Sequence, residues 1–216
     1  MRYVRDTVHG FRERLHYEGG ELDAMFENAG VDFLKEKYGK AEYPISTDDL
    51  TMLIEKDVAD LDQYADLSQY GEGVEGMTEF PRSGKPRVAI SHTVHRHENR
   101  LRTTLSHEYG HVRLHAYLFA LVDRQLRFGQ NRKPNAIYCL RDAMLPAGKR
   151  DWMEWQAGYA SGAALMPKTH VTISRADSGA LRSLWRRGAR ISSRQKSNFG
   201  ADGGVYRLAR SCRGAP

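Results

Sequence analysis

A chain of 216 residues suits one compact domain with an appendage. Hydrophobic residues make up 40% of it and charged residues 28%, and no apolar run approaches the roughly 20 residues of a membrane helix, which excludes a helical membrane protein. The net charge of +6 is unevenly placed: residues 1–174 hold 23 Lys and Arg against 25 Asp and Glu, whereas residues 175–216 hold 10 against 2.

In chain order, the opening "MRYVRDTVHG" offers no apolar signal segment, and a cytoplasmic location is the expectation. Leu22, Met25, Phe26, Ala29, Phe33 and Leu34 recur at helical spacing, which predicts a first helix with a break near Gly30 and a stop at Gly39. After Pro44, Ser46 or Thr47 is a fitting N-cap for a second helix that carries Leu50, Leu53 and Ile54 on one side. Then the texture changes. "VADLD", "GMTEF" and "PRVAIS" are short segments divided by "YGEGVEG" and "PRSGKP", as strands of a small sheet are. From Glu98 the helical pattern returns, with Leu101, Leu105, Val112, Leu118 and Leu121 as its apolar stripe. A long spacer of residues 116–151 reads as a lid or specificity loop. "DWMEWQAGYASGAALMP" predicts a buried helix that ends before Pro167. The last stretch, 175–216, is rich in Ser, Gly and Arg and reads as a basic tail, with a short helix over 178–187.

The predicted helix after the strands carries "RTTLSHEYGHVRLH", in which His107 and His111 bracket Glu108 as H-E-x-x-H. Residues four apart on a helix share a face, so both imidazoles can meet one tetrahedral metal while Glu108 flanks the place where a water would sit. Gly110, beside the second histidine, leaves room for another backbone to approach. A catalytic zinc takes three protein ligands and one water. The extended motif with a third histidine fails, because its places hold Leu114 and Tyr117. A downstream carboxylate is the remaining common solution, and only one glutamate follows Glu108, namely Glu154. Inside a segment of small and apolar residues that carboxylate needs a partner, and a metal would supply it; a place in the exposed first turn of the helix is the other reading.

Together, the strand, the "R-x-T-L-x-H-E-x-G-H" block and the "E-x-x-A...L-M-P" block resemble the ImmA/IrrE family of zinc-dependent metallopeptidases over roughly residues 45–167. The resemblance implies an α+β, zincin-like metallopeptidase domain in residues 1–174, a small antiparallel sheet packed on helices that include the H-E-x-x-H helix. It implies zinc held by His107, His111 and Glu154, and Glu108 as the catalytic base. Gly158 and Ala160 stand where the family usually has Asn and Phe. By the same resemblance the substrate is a protein, a helix-turn-helix repressor whose cleavage relieves repression of a mobile element or a stress response.

Other residues bound this reading. His115 continues the row of His107 and His111 one turn on, about 6 Å along the helix, and reads as a histidine behind the ligands or on the surface, with a further metal ligand as the other reading. His92, His95 and His97 read as a solvated connection between strand and helix, with one of them as a candidate oxyanion donor in the other reading. Trp152 and Trp155 are expected to pack, and Cys139 and Cys212 make no disulfide framework. A weak nucleic-acid contact through the basic tail is the expected further partner. The alternative to a peptidase is a zinc-containing regulator that binds a repressor or DNA without catalysis, and Glu108 separates the two, since a structural metal site has no use for a proton acceptor.

Overall fold

The structure, a computed structural model, describes residues 1–125, 135–140 and 151–172. The chain divides into two units, Met1–Ile173 and Ser174–Pro216, and all described residues lie in the first. The tail with its expected short helix, and residues 126–134 and 141–150 of the spacer, fall outside the described residues.

The first unit opens on a hairpin that the sequence pattern did not announce, β1 (Arg2–Arg5) paired antiparallel with β2 (Glu13–His16). Its connecting loop is closed by one side chain. The Asp6 carboxylate accepts the backbone N–H of Val8, His9 and Phe11 at 3.1, 2.9 and 2.9 Å, and the indole N–H of Trp152 at 2.9 Å. The first helix, α1, runs from Gly19 to Tyr38 behind a reciprocal capping pair of Glu18 and Glu21, and ends on left-handed Gly39 with φ 73°. It does not break at Gly30. Leu22, Phe26, Phe33 and Leu34 are all buried on it, and Gly30 makes room there for the Tyr43 hydroxyl. Ser46 caps α2 (Thr47–Glu55) by accepting the N–H of Asp49.

Among the described residues four strands form the sheet: β3 (Asp60–Ala65), β4 (Val74–Phe80), β5 (Arg87–Ser91) and β6 (Asn135–Leu140), in the spatial order β3-β5-β4-β6. The protein is thus mixed α+β, with a small sheet against helices. The sheet is antiparallel across β5, β4 and β6, in keeping with the small antiparallel sheet expected, and β3 adds to it running parallel to β5. The chain can return in the same direction because β4 and a long turn intervene between the two. Strand β6 lies within the spacer, so that segment includes a structured strand on the outer side of β4, with Thr78 opposite Ile137 and Gly76 opposite Cys139.

Helix α3 (Glu98–Gln125) contributes side chains to two apolar clusters. Leu105, Tyr109, Val112 and Leu114 join the core formed by α1, α2 and β5, while Leu118 and Phe119 pack with Phe80, Trp152 and Met153. Polar ties fix its entry and middle: Thr47 donates to Glu98 at 2.7 Å, the Arg100 guanidinium pairs with buried Glu75 at 2.5 Å, and Tyr109 donates to Asp57 at 2.9 Å. The last described helix, α4 (Trp152–Leu165), lies against α3. No helix among the described residues is long and apolar enough to cross a membrane.

Candidate metal centre

Helices α3 and α4 approach closely because both are lined with small residues where they meet. A Cβ added at Gly110 would lie 2.9 Å from the Ala157 Cα, 3.1 Å from its carbonyl oxygen and 3.2 Å from the Ala160 Cβ. Carbon atoms in ordinary contact stand about 3.5–4.0 Å apart, so only glycine fits there without moving α4. The room anticipated beside His111 is filled by the α4 backbone. Between the same helices the Ser106 and Ser161 hydroxyls hydrogen-bond at 2.7 Å.

The start of α4 is held from three directions. Asp151 caps it by accepting the N–H of Met153 at 3.1 Å and of Glu154 at 3.2 Å, and His9 hydrogen-bonds the same carboxylate at 3.0 Å. Trp152, the next residue, is anchored by Asp6 from the N-terminal loop. Glu154 therefore does sit in the first turn of its helix, as one reading had it, yet its side chain is only 13% exposed. It points at the histidines of α3.

Three side chains converge there. His107 Nε2 lies 3.1 Å from Glu154 Oε2, His111 Nε2 lies 3.3 Å from Glu154 Oε1, and the two Nε2 atoms are 3.1 Å apart. Among the described residues this is the group of His, Cys, Asp and Glu side chains able to hold a metal ion, its ligand atoms all within 4.8 Å of one another. The spacing fits a metal. Ligands about 2.0–2.1 Å from a tetrahedral ion stand roughly 3.3 Å apart, and two imidazole nitrogens with one carboxylate oxygen form a donor set suited to zinc. Burial alone would raise the Glu154 carboxyl, but hydrogen bonds from His107 and His111 outweigh it and hold the group well below the usual carboxylate range. Burial also opposes a proton on His111, whereas Glu154 favours one, and the net direction is upward.

Glu108 lies on the same turn of α3 and is wholly buried. Thr78 of β4 donates its hydroxyl to Glu108 Oε2 at 2.5 Å, while Oε1 is buried with no hydrogen-bond partner. A buried carboxylate oxygen without a partner is costly unless something is meant to meet it. The space for this carboxylate is cut from the sheet: a Cβ at Gly76 would overlap Glu108 Oε1 and stand 2.8 Å from its Cδ. Burial raises the Glu108 carboxyl above its ordinary value, against the lowering influence of His111 and His107.

His115 is buried too, and it adds a further contact to the row. Its Nδ1 lies 2.9 Å from His111 Nδ1, and its Nε2 lies 3.1 Å from Gln156 Oε1 of α4. Burial, followed by the neighbouring His111, pushes its pKa well below the ordinary 6.5.

Other sequence expectations are placed elsewhere. His92 Nδ1 lies 3.3 Å from the Ala65 carbonyl and His95 Nε2 lies 2.6 Å from that of Gln63, with the His95 ring stacked on Tyr64. These two rings tie the turn before α3 to β3. His97 is exposed at the start of α3, ten residues or roughly 15 Å along the helix from His107. None of the three is brought to the cluster by a described contact. Trp152 packs as expected, whereas Trp155 is 38% exposed, its ring 5.6 Å from that of Tyr159 one turn on. Gly76, Thr78, Asp6 and Gln156 belong to the site or its supports and were not read from the sequence; Thr and Gly in "GMTEF" carry no local mark of what faces them. Comparison with known proteins adds no relative: no family model, no curated protein and no solved structure matches the chain.

Proposed function

We propose that the protein is a zinc-dependent endopeptidase of the ImmA/IrrE kind, with a zincin-like domain in residues 1–174 and a helix-turn-helix repressor as its substrate. The observation that carries the reading is the convergence of His107, His111 and Glu154 beside a buried Glu108 with one oxygen uncommitted. The family and the substrate class rest on the resemblance of the two motif blocks.

The chemistry that zinc supplies at such a donor set is Lewis-acid polarisation of a carbonyl and activation of water near neutral pH. The protein's own groups divide the rest of the work. Thr78 holds Glu108 Oε2 by its hydrogen bond, so the carboxylate has one fixed oxygen and presents the other, Oε1, as the proton acceptor. Glu108 then returns that proton to the departing amine. Burial keeps the carboxylate free of competing water and raises its basicity, both of which suit a general base. Asp151 and Trp152, fixed by His9 and Asp6, hold the first turn of α4 so that Glu154 stays directed at the histidines.

An extended substrate segment would bind by adding a strand to a sheet edge. The outer side of β4 is taken by β6, so an added strand would pair with one of the two outer strands, β3 or β6, or replace β6. A nucleic-acid contact by residues 175–216 is a proposal that rests on their charge alone.

The test compares the native protein with Glu108→Gln after loading both with zinc. Each is incubated with candidate helix-turn-helix repressors, and the products are analysed by mass spectrometry. Defined fragments from the native protein, reduced by several orders of magnitude with Glu108→Gln while zinc stays bound, support a peptidase. Full relief of repression in cells by the zinc-loaded variant, with no fragments from either protein, leaves a non-catalytic regulator instead.

A further inference from the structure

Metal-binding histidines do not stand alone: the ring nitrogen away from the metal donates its N–H to an acceptor, which fixes the ring and the tautomer. In this protein His111 has such a neighbour, and it is neither a carboxylate nor a backbone carbonyl. It is the imidazole of His115, whose Nδ1 stands 2.9 Å from His111 Nδ1 in a fully buried contact. Two imidazole nitrogens at that distance share one proton, and which ring holds it decides what His111 can offer on its other side.

Consider the two possible directions. If His115 held the proton at Nδ1, His111 Nδ1 would be the acceptor, and a neutral His111 would carry its own proton on Nε2, the atom that faces His107 and Glu154. That tautomer has no lone pair for a metal. In the opposite direction His111 Nδ1–H donates to His115 Nδ1, His111 Nε2 is bare, and neutral His115 carries its proton on Nε2. There it meets Gln156 Oε1 at 3.1 Å, a carbonyl-type oxygen that can only accept. The chain of three side chains is then satisfied at every link, and it ends on α4, two residues past Glu154. Gln156 is itself buried, so no water is needed to complete it.

We infer that His115 and Gln156 are positioning residues that direct the His111 N–H inward from the cluster and leave its Nε2 free to bind metal. The inference rests on the metal-centre reading above. Neither residue touches the ligand position. His115 acts on the orientation and tautomer of His111, and Gln156 acts through His115. A neutral imidazole in place of a carboxylate also adds no negative charge behind the ligand.

The experiment measures zinc affinity by competition with a chelator, for the native protein and for His115→Leu, His115→Asn and Gln156→Met. Thermal unfolding of each metal-free protein shows whether the fold persists. Leucine keeps bulk but removes the acceptor, while asparagine places an oxygen where Nδ1 was. Loss of a hydrogen-bond partner behind a metal ligand typically costs about 10–100-fold in affinity. We expect that loss with His115→Leu and with Gln156→Met, and recovery to within a few-fold of native with His115→Asn. Should His115→Leu fail to fold, Gln156→Met carries the same test from the far end of the chain. Long-range proton–nitrogen NMR spectra of the zinc-loaded native protein should place the proton on Nδ1 of His111 and Nε2 of His115. Native affinity in both folded His115→Leu and Gln156→Met, or a proton on His115 Nδ1, overturns the inference and leaves the metal centre standing. Absence of zinc binding by the native protein removes both.

Discussion

Gly110→Ala is a one-carbon perturbation that should strike the metal before it strikes the fold. The added Cβ meets the Ala157 Cα at 2.9 Å and the Ala160 Cβ at 3.2 Å, so α4 must retreat by about 0.6–1 Å to restore ordinary contact. Overpacking of this kind costs about 1–3 kcal/mol, and replacing glycine in a helix interior returns about 1 kcal/mol, which leaves a net destabilisation of about 0–2 kcal/mol. Glu154 precedes Ala157 by three residues on the same helix, so it moves with the backbone that is pushed. Metal ligands are held within about 0.2 Å, and a carboxylate drawn back several times that far is lost or strained. Zinc affinity should therefore fall by at least about tenfold, or about 1.4 kcal/mol, in addition to the change in stability of the metal-free protein. Urea unfolding of the metal-free proteins and chelator competition on the zinc-loaded ones separate the two quantities. A variant that is more stable than native and binds zinc equally well would refute the reasoning, since α4 would not then be held where the missing Cβ places it.

Two further substitutions act on other parts of the same construction. Gly76→Ala puts a methyl group into the space of the Glu108 carboxylate, and since Glu108 is buried it must leave Thr78; peptidase activity should fall by about 10²-fold or more, as loss of a positioned general base does, with zinc content by metal analysis unchanged. Asp6→Asn removes the charge that gathers three backbone N–H groups and the Trp152 indole, and hydrogen bonds to charged groups are worth about 1.5–3 kcal/mol, so a loss of that size in total is expected at pH 7. Burial raises the Asp6 carboxyl, but the hydrogen bonds of Val8, Trp152, Phe11 and His9 together hold it below its ordinary 3.8. A depressed folded value means that the stabilisation is complete above the unfolded value and is lost as pH falls through the folded one. The native and Asp6→Asn proteins should accordingly differ at neutral pH and converge in acid, from about pH 4 downward, when unfolding is followed by circular dichroism.

What could be read from the sequence, and what could not, divides by the range of the interactions. His107, Glu108 and His111 announce themselves because the helical repeat is local: residues four apart share a face whatever lies beyond the helix. Gly110 and Glu154 were legible by exclusion, as a small residue beside a ligand and as the last glutamate in the chain. The supports of the site were not. Thr78 meets Glu108 across 30 residues, Gln156 meets His115 across 41, and Asp6 meets Trp152 across 146, and no local pattern encodes such meetings. The hairpin of β1 and β2 escaped notice because "RYVR" and "ERLH" are dominated by charges, and its closure depends on Asp6 more than on apolar alternation. At Gly30 a local rule misled. Glycine weakens a helix by about 1 kcal/mol, but four buried apolar side chains on α1 and the Tyr43 contact outweigh that cost. The direction of β3 is likewise set by where β5 lies, which its own six residues do not specify.

The central claim concerns which atoms hold the metal, and an anomalous-difference map at the zinc absorption edge addresses it most directly. Crystals of the zinc-loaded protein should show one strong peak in the first unit, about 2.0–2.2 Å from His107 Nε2, His111 Nε2 and a carboxylate oxygen of Glu154, with His115 outside bonding distance. A peak that lacks Glu154 and takes another carboxylate in its place would contradict the ligand assignment, and no peak at His107 and His111 would contradict the metal centre itself.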